Sequence, residues 1–316
     1  MACGTASRLP GGALRRWPHT MPSRSVGLIP IDKPPGVTSR HVVDVVSRAA
    51  AAATAGHAGT LDPISSGVVV VCLGRATKLV EFLHGLPKSY RGSFLLGRSS
   101  PSDDIEQPVE LEADPRRPGL AEIDAALGGF RGEILQRPCD FSAVRVAGRR
   151  AYELARRGRE MTLEPKRVTI HRLELVRYDW PRLVLDVTCS SGTYIRGLGR
   201  DLAVACGTRA VMEALVRTAV GPFSREASLP LDEVTPETVA AAIEPPLAAV
   251  AHLPRVVVDA AAAEAVATCG MLPATAVSGV DFEAEAVAAV DTEGRLAGVL
   301  RPHAGGWRMR PNFLAT

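Results

Sequence analysis

Three short segments of this 316-residue chain carry side chains suited to nucleophilic, ion-pairing and stacking chemistry. The first is Gly56-His57-Ala58-Gly59-Thr60-Leu61-Asp62-Pro63, read as a loop between a helix and a buried strand. Pro63 biases Asp62 away from helical backbone and Gly59 frees the chain to turn, so the carboxylate is held on a shaped loop. Taken alone, Asp62 reads as a turn residue whose carboxylate bonds a nearby backbone amide. The second segment, Cys189-Ser190-Ser191-Gly192-Thr193-Tyr194-Ile195-Arg196, runs from a strand end over a glycine turn into a helix and puts Tyr194 and Arg196 at the junction. Alone it reads as helix capping by Thr193 beside a surface arginine. Next to a loop carboxylate, that arginine would pair with it and keep it ionised. The third segment, Lys88-Ser89-Tyr90, opens a strand. Tyr90 alone is a core residue with a wet hydroxyl; in a base-binding pocket its ring is a stacking face.

The elements that must position these residues are legible as alternating strands and helices from Val26 onward. Thr38 or Ser39 caps a helix whose Val42, Val43 and Val46 share one face. A buried strand over Val68 to Leu73 follows, then Gly74 and a helix through Leu79, Phe82 and Leu83. Tyr90, Gly92, Phe94 and Leu96 fall on one face of a period-two strand. Asp103 to Asp114, rich in acids and prolines, predicts a surface loop before a helix over Ile123 to Leu127 that Gly128 stops. Ala151 to Arg157 predicts a short basic helix, and Lys166 to Val176 with Leu183 to Cys189 a strand pair. A helix from about Ile195 to Ala205 ends at Gly207. This order favours an α+β domain over a doubly wound sheet. Near Pro245, Pro246 and Pro254 the composition shifts, and Val256 to Val258, Ala286 to Val290 and Leu296 to Leu300 predict a small β-rich module. The expected division is a disordered basic tail over 1–25, a catalytic domain over 26–253 and a small terminal domain over 254–316.

Composition narrows the function classes. With 46% hydrophobic and 22% charged residues the chain is an ordinary globular protein, and no apolar run approaches the roughly 20 residues that span a bilayer. Net charge is +3, but residues 131 to 172 hold eleven Arg or Lys against five Asp or Glu, while 229 to 300 hold two against eleven. A polyanion docking on the basic middle fits that asymmetry, as do two solvated faces. The six cysteines form no C-x-x-C pair, which indicates neither a zinc site nor a redox motif. Without a secretory apolar segment the expected compartment is a reducing cytoplasm. The tail's arginines resemble an organelle transit peptide in charge, yet its prolines and glycines break a helix, and Met21 as the true start is the favoured reading. Phosphate-loop, dinucleotide, H-E-x-x-H and G-x-S-x-G templates all fail.

Taken together, the segments from about Gly27 to Phe223 resemble the TruB family of tRNA pseudouridine synthases. Ile31-Asp32-Lys33-Pro34-Pro35-Gly36-Val37-Thr38-Ser39 is similar to the family's first motif, and Gly56 to Pro63 to its catalytic loop. Cys72-Leu73-Gly74-Arg75-Ala76-Thr77-Lys78, Lys88-Ser89-Tyr90, Ser191 to Arg196, and Arg217-Thr218 with Val220-Gly221-Pro222-Phe223 follow in order. Ser142-Ala143-Val144-Arg145 with Arg150 to Arg156 resembles the basic insertion of bacterial members. The chain departs from the pattern at Pro101, where many members carry an acid, and at Ala58, Phe141 and Val211.

The resemblance implies a pseudouridine synthase fold, with a mixed, mainly antiparallel sheet and a PUA-like terminal module. It implies a cofactor-free isomerisation of the T-loop uridine of tRNA. Asp62 matches the catalytic aspartate, Tyr90 the ring packed against the target base and Arg196 the partner of the aspartate. Tyr194 and Leu215 match pocket-lining positions, His57 a residue that fills the gap left by the flipped base, and Lys78 an RNA contact; Lys33 and Asp104 join the substrate-binding set. Arg145, Arg149, Arg150, Arg156 and Arg157 would attract the RNA backbone. The expected partner is the T-arm of tRNA, met by a monomer with no membrane and no guide RNA. The alternative is a tRNA-binding or tRNA-folding module without essential turnover, for which stacking and phosphate contacts suffice.

Overall fold

The structure, a computed structural model, describes residues 26–142, 145–146, 149–155, 163–273, 277 and 284–314. The tail expected over 1–25, and Arg156 and Arg157, lie outside the described residues. The first half contains β1 (Gly27–Lys33), α1 (Ser39–Ala49), β2 (Ala55–His57), β3 (Ser66–Leu73), α2 (Val80–Gly85), β4 (Lys88–Leu96), β5 (Arg98–Ser99), β6 (Glu110–Leu111), α3 (Leu120–Leu127), β7 (Gly132–Gln136), β8 (Arg145–Val146), β9 (Arg149–Arg150) and α4 (Ala151–Ala155). After these come β10 (Lys166–Asp179), β11 (Arg182–Cys189), α5 (Ile195–Ala205), β12 (Ala210–Val220), β13 (Phe223–Ser224), β14 (Leu229–Pro230) and α6 (Pro236–Ala242). The chain finishes with β15 (Arg255–Val257), α7 (Ala260–Cys269), β16 (Met271–Pro273), β17 (Val287–Val290), β18 (Leu296–His303) and β19 (Gly306–Asn312).

A ten-stranded mixed sheet runs in the order β14-β1-β3-β12-β4-β11-β10-β7, with β2 beside β3 and β13 beside β12. Among the described strands, β1 with β14 and β3 with β12 are parallel, and the other pairs of this sheet are antiparallel. β3 is apolar without alternation because both of its faces are covered. Val68, Val70 and Cys72 pack with Leu79, Leu83 and Val250 on one side, while Val69, Val71 and Leu73 pack with Val42, Val46 and Val239 on the other. β11 alternates instead. Leu183, Leu185, Val187 and Cys189 join the core around α5, and the intervening positions face outward, where Asp186 pairs with Arg91 and Arg182 with Glu213.

Helix α1 starts where the Thr38 hydroxyl accepts the His41 amide at 3.1 Å, which settles the choice between two capping candidates. Ser39 is buried and serves a different purpose, described below. The acidic stretch is a surface loop only in part. Exposed Leu111 fits that expectation, but Ser102 and Asp104 are buried, and Met212 and the Asp103 to Ile105 backbone exchange hydrogen bonds of 2.9 and 3.2 Å that tie the loop to β12.

The terminal segment forms its own five-stranded sheet in the order β15-β17-β18-β19-β16 around buried Trp307, Leu300 and Met309. The short apolar runs are strands as expected. Helix α7 is an addition to that reading, capped by Asp259, which accepts the Ala262 amide at 2.8 Å, and stopped at Gly270 with φ +71. Ala288, Leu296 and Val299 of this sheet share a core with Leu79 and Leu83, and Arg301 pairs with Glu81 at 2.8 Å while lying over the Phe82 ring. Arg75 donates to the Asn312 carbonyl across the same seam.

Helix α5 is held against the sheet by Leu198, Leu202 and Ala203, and its closest approach is at Gly199. A Cβ there would lie 2.1 Å from the buried Phe94 ring. Gly199→Ala is expected to lower stability by about 1–3 kcal/mol through overpacking, read as a shift in the denaturant midpoint at unchanged slope.

Candidate active site

The loop that carries Asp62 is built by strand pairing and then by pins. β2 pairs antiparallel with β3, His57 opposite Val71, and the Ala58 amide still reaches the Val70 carbonyl at 3.1 Å. At Gly59 the backbone turns with φ +101, a conformation that favours glycine. The buried Ser39 hydroxyl then holds Leu61 from both sides, accepting its amide at 2.8 Å and donating to its carbonyl at 3.2 Å. Beyond Asp62, the Pro63 carbonyl accepts the Gly36 amide at 2.7 Å and the Lys33 ammonium at 3.4 Å, and the Ser65 amide donates to the Asp62 carbonyl at 3.0 Å. The aspartate backbone is thus fixed, and its side chain is 39% exposed.

Arg196 comes to this loop from the first turn of α5. The strand-to-helix junction before it is locked by Gln136 of β7, whose amide accepts from the Tyr194 nitrogen at 2.8 Å and donates to the Tyr194 carbonyl at 2.9 Å. The Arg196 side chain is 7% exposed, so each donor needs an acceptor inside the protein. Nη2 lies 3.1 Å from Asp62 Oδ2 and donates to the Phe141 carbonyl at 3.0 Å. Nη1 donates to Asp104 Oδ2 at 3.1 Å and to the Ser102 carbonyl at 2.8 Å. Asp104 is fully buried; its other oxygen accepts from the Ser102 hydroxyl and, at 3.0 Å, from the Glu106 amide. Burial opposes the charge on Arg196, but Asp62 and the neighbouring acids outweigh it and hold the guanidinium above its ordinary value. Glu106 at the rim is pushed up by burial and by the Asp104 and Asp62 charges.

Tyr90 stands on β4 between Val187 of β11 and Arg217 of β12, and its ring packs in two hydrophobic clusters, one shared with Ile64, two residues after Asp62. Burial raises its phenol, with Arg217 opposing. Leu215 is buried on β12 opposite Gly92. Burial also raises the Tyr194 phenol, which feels the charges of Arg196 and Asp62. The structure therefore brings Asp62, Arg196, Tyr90, Tyr194 and Leu215 around one place.

Other residues singled out by sequence take different positions. Lys33 and Asp104, expected at the substrate, have no exposed surface, and their polar atoms are taken up by protein partners, which makes them supports of the pocket. Lys33 donates to the Pro34, Val37 and Pro63 carbonyls, and burial, against the pull of Asp62, lowers it to about 8. Lys88 does likewise for the end of α2, donating to His84 and Leu86 carbonyls at 2.6 and 2.7 Å. Lys78 is exposed in the 3₁₀ turn Gly74–Leu79. Arg145, Arg149 and Arg150 belong to the β8–β9 pair, with Arg145 opposite Arg150. Arg217, buried in β12 and touching the Asp62 loop, belongs to a motif but carries no site role in the sequence reading; it is one of two charges in the otherwise mostly apolar run Ala210–Val220, the other being Glu213, which pairs with Arg182. No group of three His, Cys, Asp or Glu that could hold a metal occurs among the described residues.

Comparison with known proteins places this geometry. A family model described as "TruB family pseudouridylate synthase (N terminal domain)" matches residues 47–195. The chain is 39% identical over 285 residues to tRNA pseudouridine synthase B of Mycobacterium bovis, covering 89% of this chain and 93% of that protein. It is 43% identical over 240 residues to tRNA pseudouridine synthase B of Symbiobacterium thermophilum, covering 75% and 80%. A chain of a crystal structure of a Cbf5-Nop10-Gar1 complex superposes with TM-score 0.72 at 25% identity, covering 92% of this chain and 86% of that one. No helix among the described residues is long and apolar enough to cross a membrane.

His57 sits at the start of the loop, half exposed, with its pKa lowered by burial and by the Arg217, His84 and Arg40 charges. The unfolded chain therefore binds this proton at a higher pH than the folded one, so His57 contributes stability that is intact above its ordinary value near 6.5 and lost as pH falls below it. His57→Gln is expected to lose less stability than the wild type between pH 7.5 and pH 5, compared by denaturant titration at both values.

Proposed function

The chain belongs to the TruB family of pseudouridylate synthases, and from that premise we propose how this isomerase makes pseudouridine in tRNA: Asp62 as nucleophile, Arg196 as its ion-pair partner and Tyr90 as the ring against the target base. The target is the T-loop uridine at position 55. The observation that carries the assignment of roles is the 3.1 Å pair between a half-exposed carboxylate and a buried guanidinium that is itself braced by a second, fully buried acid. Asp62 alone of the two carboxylates has solvent-facing surface, so it alone is presented to a substrate.

A stacked uridine must leave its stack to reach Asp62, which costs a few kcal/mol and is offset by pocket stacking and backbone contacts. The reaction breaks the N-glycosidic bond, turns the uracil and rejoins it through carbon 5, whose hydrogen leaves. An ionised carboxylate can add to the uracil ring or to the anomeric carbon, or assist a glycal-like intermediate. Each route needs Asp62 held in place while the base turns, and the packed faces of Tyr90 and Leu215 give the detached ring a surface to turn against. Lys78 and the basic residues Arg145, Arg149, Arg150, Arg156 and Arg157 are assigned to the RNA backbone, His57 to the gap left by the flipped base, and residues 254–316 to a PUA-like module. The protein is assigned to bare tRNA in the cytoplasm, without a guide RNA.

Tritium release from an unmodified tRNA labelled at uridine carbon 5 tests the chemistry. The wild type is expected to release it and Asp62→Asn to release none while still binding; release by neither, with both bound to RNA, would favour the binding-module reading. Arg196→Ala is expected to lower the single-turnover rate about 100-fold or more, with a smaller change in tRNA affinity. It also leaves Asp104 buried without its cation, so a stability loss of about 3–5 kcal/mol should accompany it. An unchanged single-turnover rate would remove Arg196 from the mechanism.

A further inference from the structure

Arg217 is 1% exposed at the point where three functional segments meet. Its Nε donates to the Val68 carbonyl of β3 at 2.7 Å, Nη2 to the Gly59 carbonyl at 3.0 Å, and Nη1 reaches the Thr60 carbonyl at 3.5 Å. Two of these acceptors are the residues that turn the chain toward Asp62. Arg217 is also the β12 residue directly opposite Tyr90 of β4, and its charge opposes the rise that burial gives the Tyr90 phenol. The backbone is shaped around it as well. A Cβ on Gly67 would lie 2.1 Å from the Arg217 carbonyl oxygen, so β12 can approach β3 this closely only beside a glycine.

We propose that Arg217 is a positioning residue for the isomerisation, a planar fork that fixes the loop before Asp62 against the strand bearing Tyr90 so that nucleophile and packing ring keep one separation. Neither group of the reactive pair touches it in ion-pair contact; Asp62 is paired with Arg196. Its action therefore runs through Gly59, Thr60 and Tyr90. The planar shape of the group matters because its acceptors lie on two sides of the fork, on β3 and on the loop. A lysine at this place keeps the charge but presents it from a single nitrogen. The charge has a separate signature in His57, whose imidazole is held neutral partly by Arg217.

The rate part of this proposal rests on the isomerase reading, so the test pairs it with a measurement that needs no RNA. Arg217→Lys and Arg217→Met are compared with the wild type in four respects: melting, tRNA affinity, single-turnover rate on saturating tRNA, and the His57 titration followed by NMR in the free protein. Both variants are expected to lose single-turnover rate by about 100-fold, the loss that a misplacement of about 1 Å brings, with affinity changed far less. The His57 titration should stay low in Arg217→Lys and move up in Arg217→Met. If Arg217→Met does not fold, Arg217→Lys alone decides. A wild-type rate in Arg217→Lys would overturn the fork, and a loss confined to affinity would make Arg217 an RNA-binding group instead. If the wild type itself shows no turnover, the isomerase reading fails, while an upward His57 shift in Arg217→Met still shows that the Arg217 charge acts on the loop.

Discussion

A guanidinium taken out of water must find an acceptor for each of its donors, and the whole pocket is arranged to satisfy that demand at Arg196. Its acceptors come from the Asp62 loop, the Ser102 to Asp104 turn and Phe141, segments far apart in the chain. Two carboxylates flank one cation, and they differ in exposure. Asp104 is sealed in and hydrogen-bonded at both oxygens, so it balances the buried charge of Arg196. Asp62 keeps open surface. A buried pair of this kind contributes little net stability but is expensive to break, which suits a part whose value lies in holding one geometry.

The rest of the architecture follows from delivering those groups. Gln136 fixes the entry to α5, Gly199 lets that helix sink onto Phe94, and the helix then points Arg196 at the loop. Lys33 and Lys88 work the same way at two other corners, each gathering backbone carbonyls of a turn that would otherwise be free. Both are lowered to about 8 by burial, the physical mark of an ammonium used as a structural donor with little water around it.

How much of this could be read from the residues depended on whether local pattern or long-range partnership decided the outcome. The strand pairs, α5 and the Asp62 loop were legible because alternation, glycine turns and the Asp-Pro step act within a few residues. Helix α7 was missed although Asp259 and Gly270 bracket it, since its run of alanines shows no amphipathic stripe and blends into an apolar stretch. The acidic loop misled for the opposite reason. Asp104 sits among other acids and prolines and looks solvated, and only its contact with Arg196, 92 positions away, shows that it is interior. Lys33 joins the substrate-binding set through the family resemblance, and nothing in its sequence neighbours reveals that three carbonyls surround its ammonium. The choice between Thr38 and Ser39 was likewise undecidable locally, and was made by Leu61, 22 residues on from Ser39.

The place of β12 in the sheet has a consequence for how the chain comes off the ribosome. This strand, residues 210–220, lies between β3 and β4, both of which are made more than a hundred residues earlier. Until it emerges, nothing joins β4 to β3, which β1 and β2 already pair, and β4 presents an unpaired edge of the kind that recruits foreign strands. The nascent protein therefore carries β4 with this edge open until β12 is made, and closure of the sheet and of the pocket around Asp62 become one late event. Such non-local pairing is intrinsically slow. Substitutions in β12 that leave the finished protein intact should thus be felt first as lower yield from the cell.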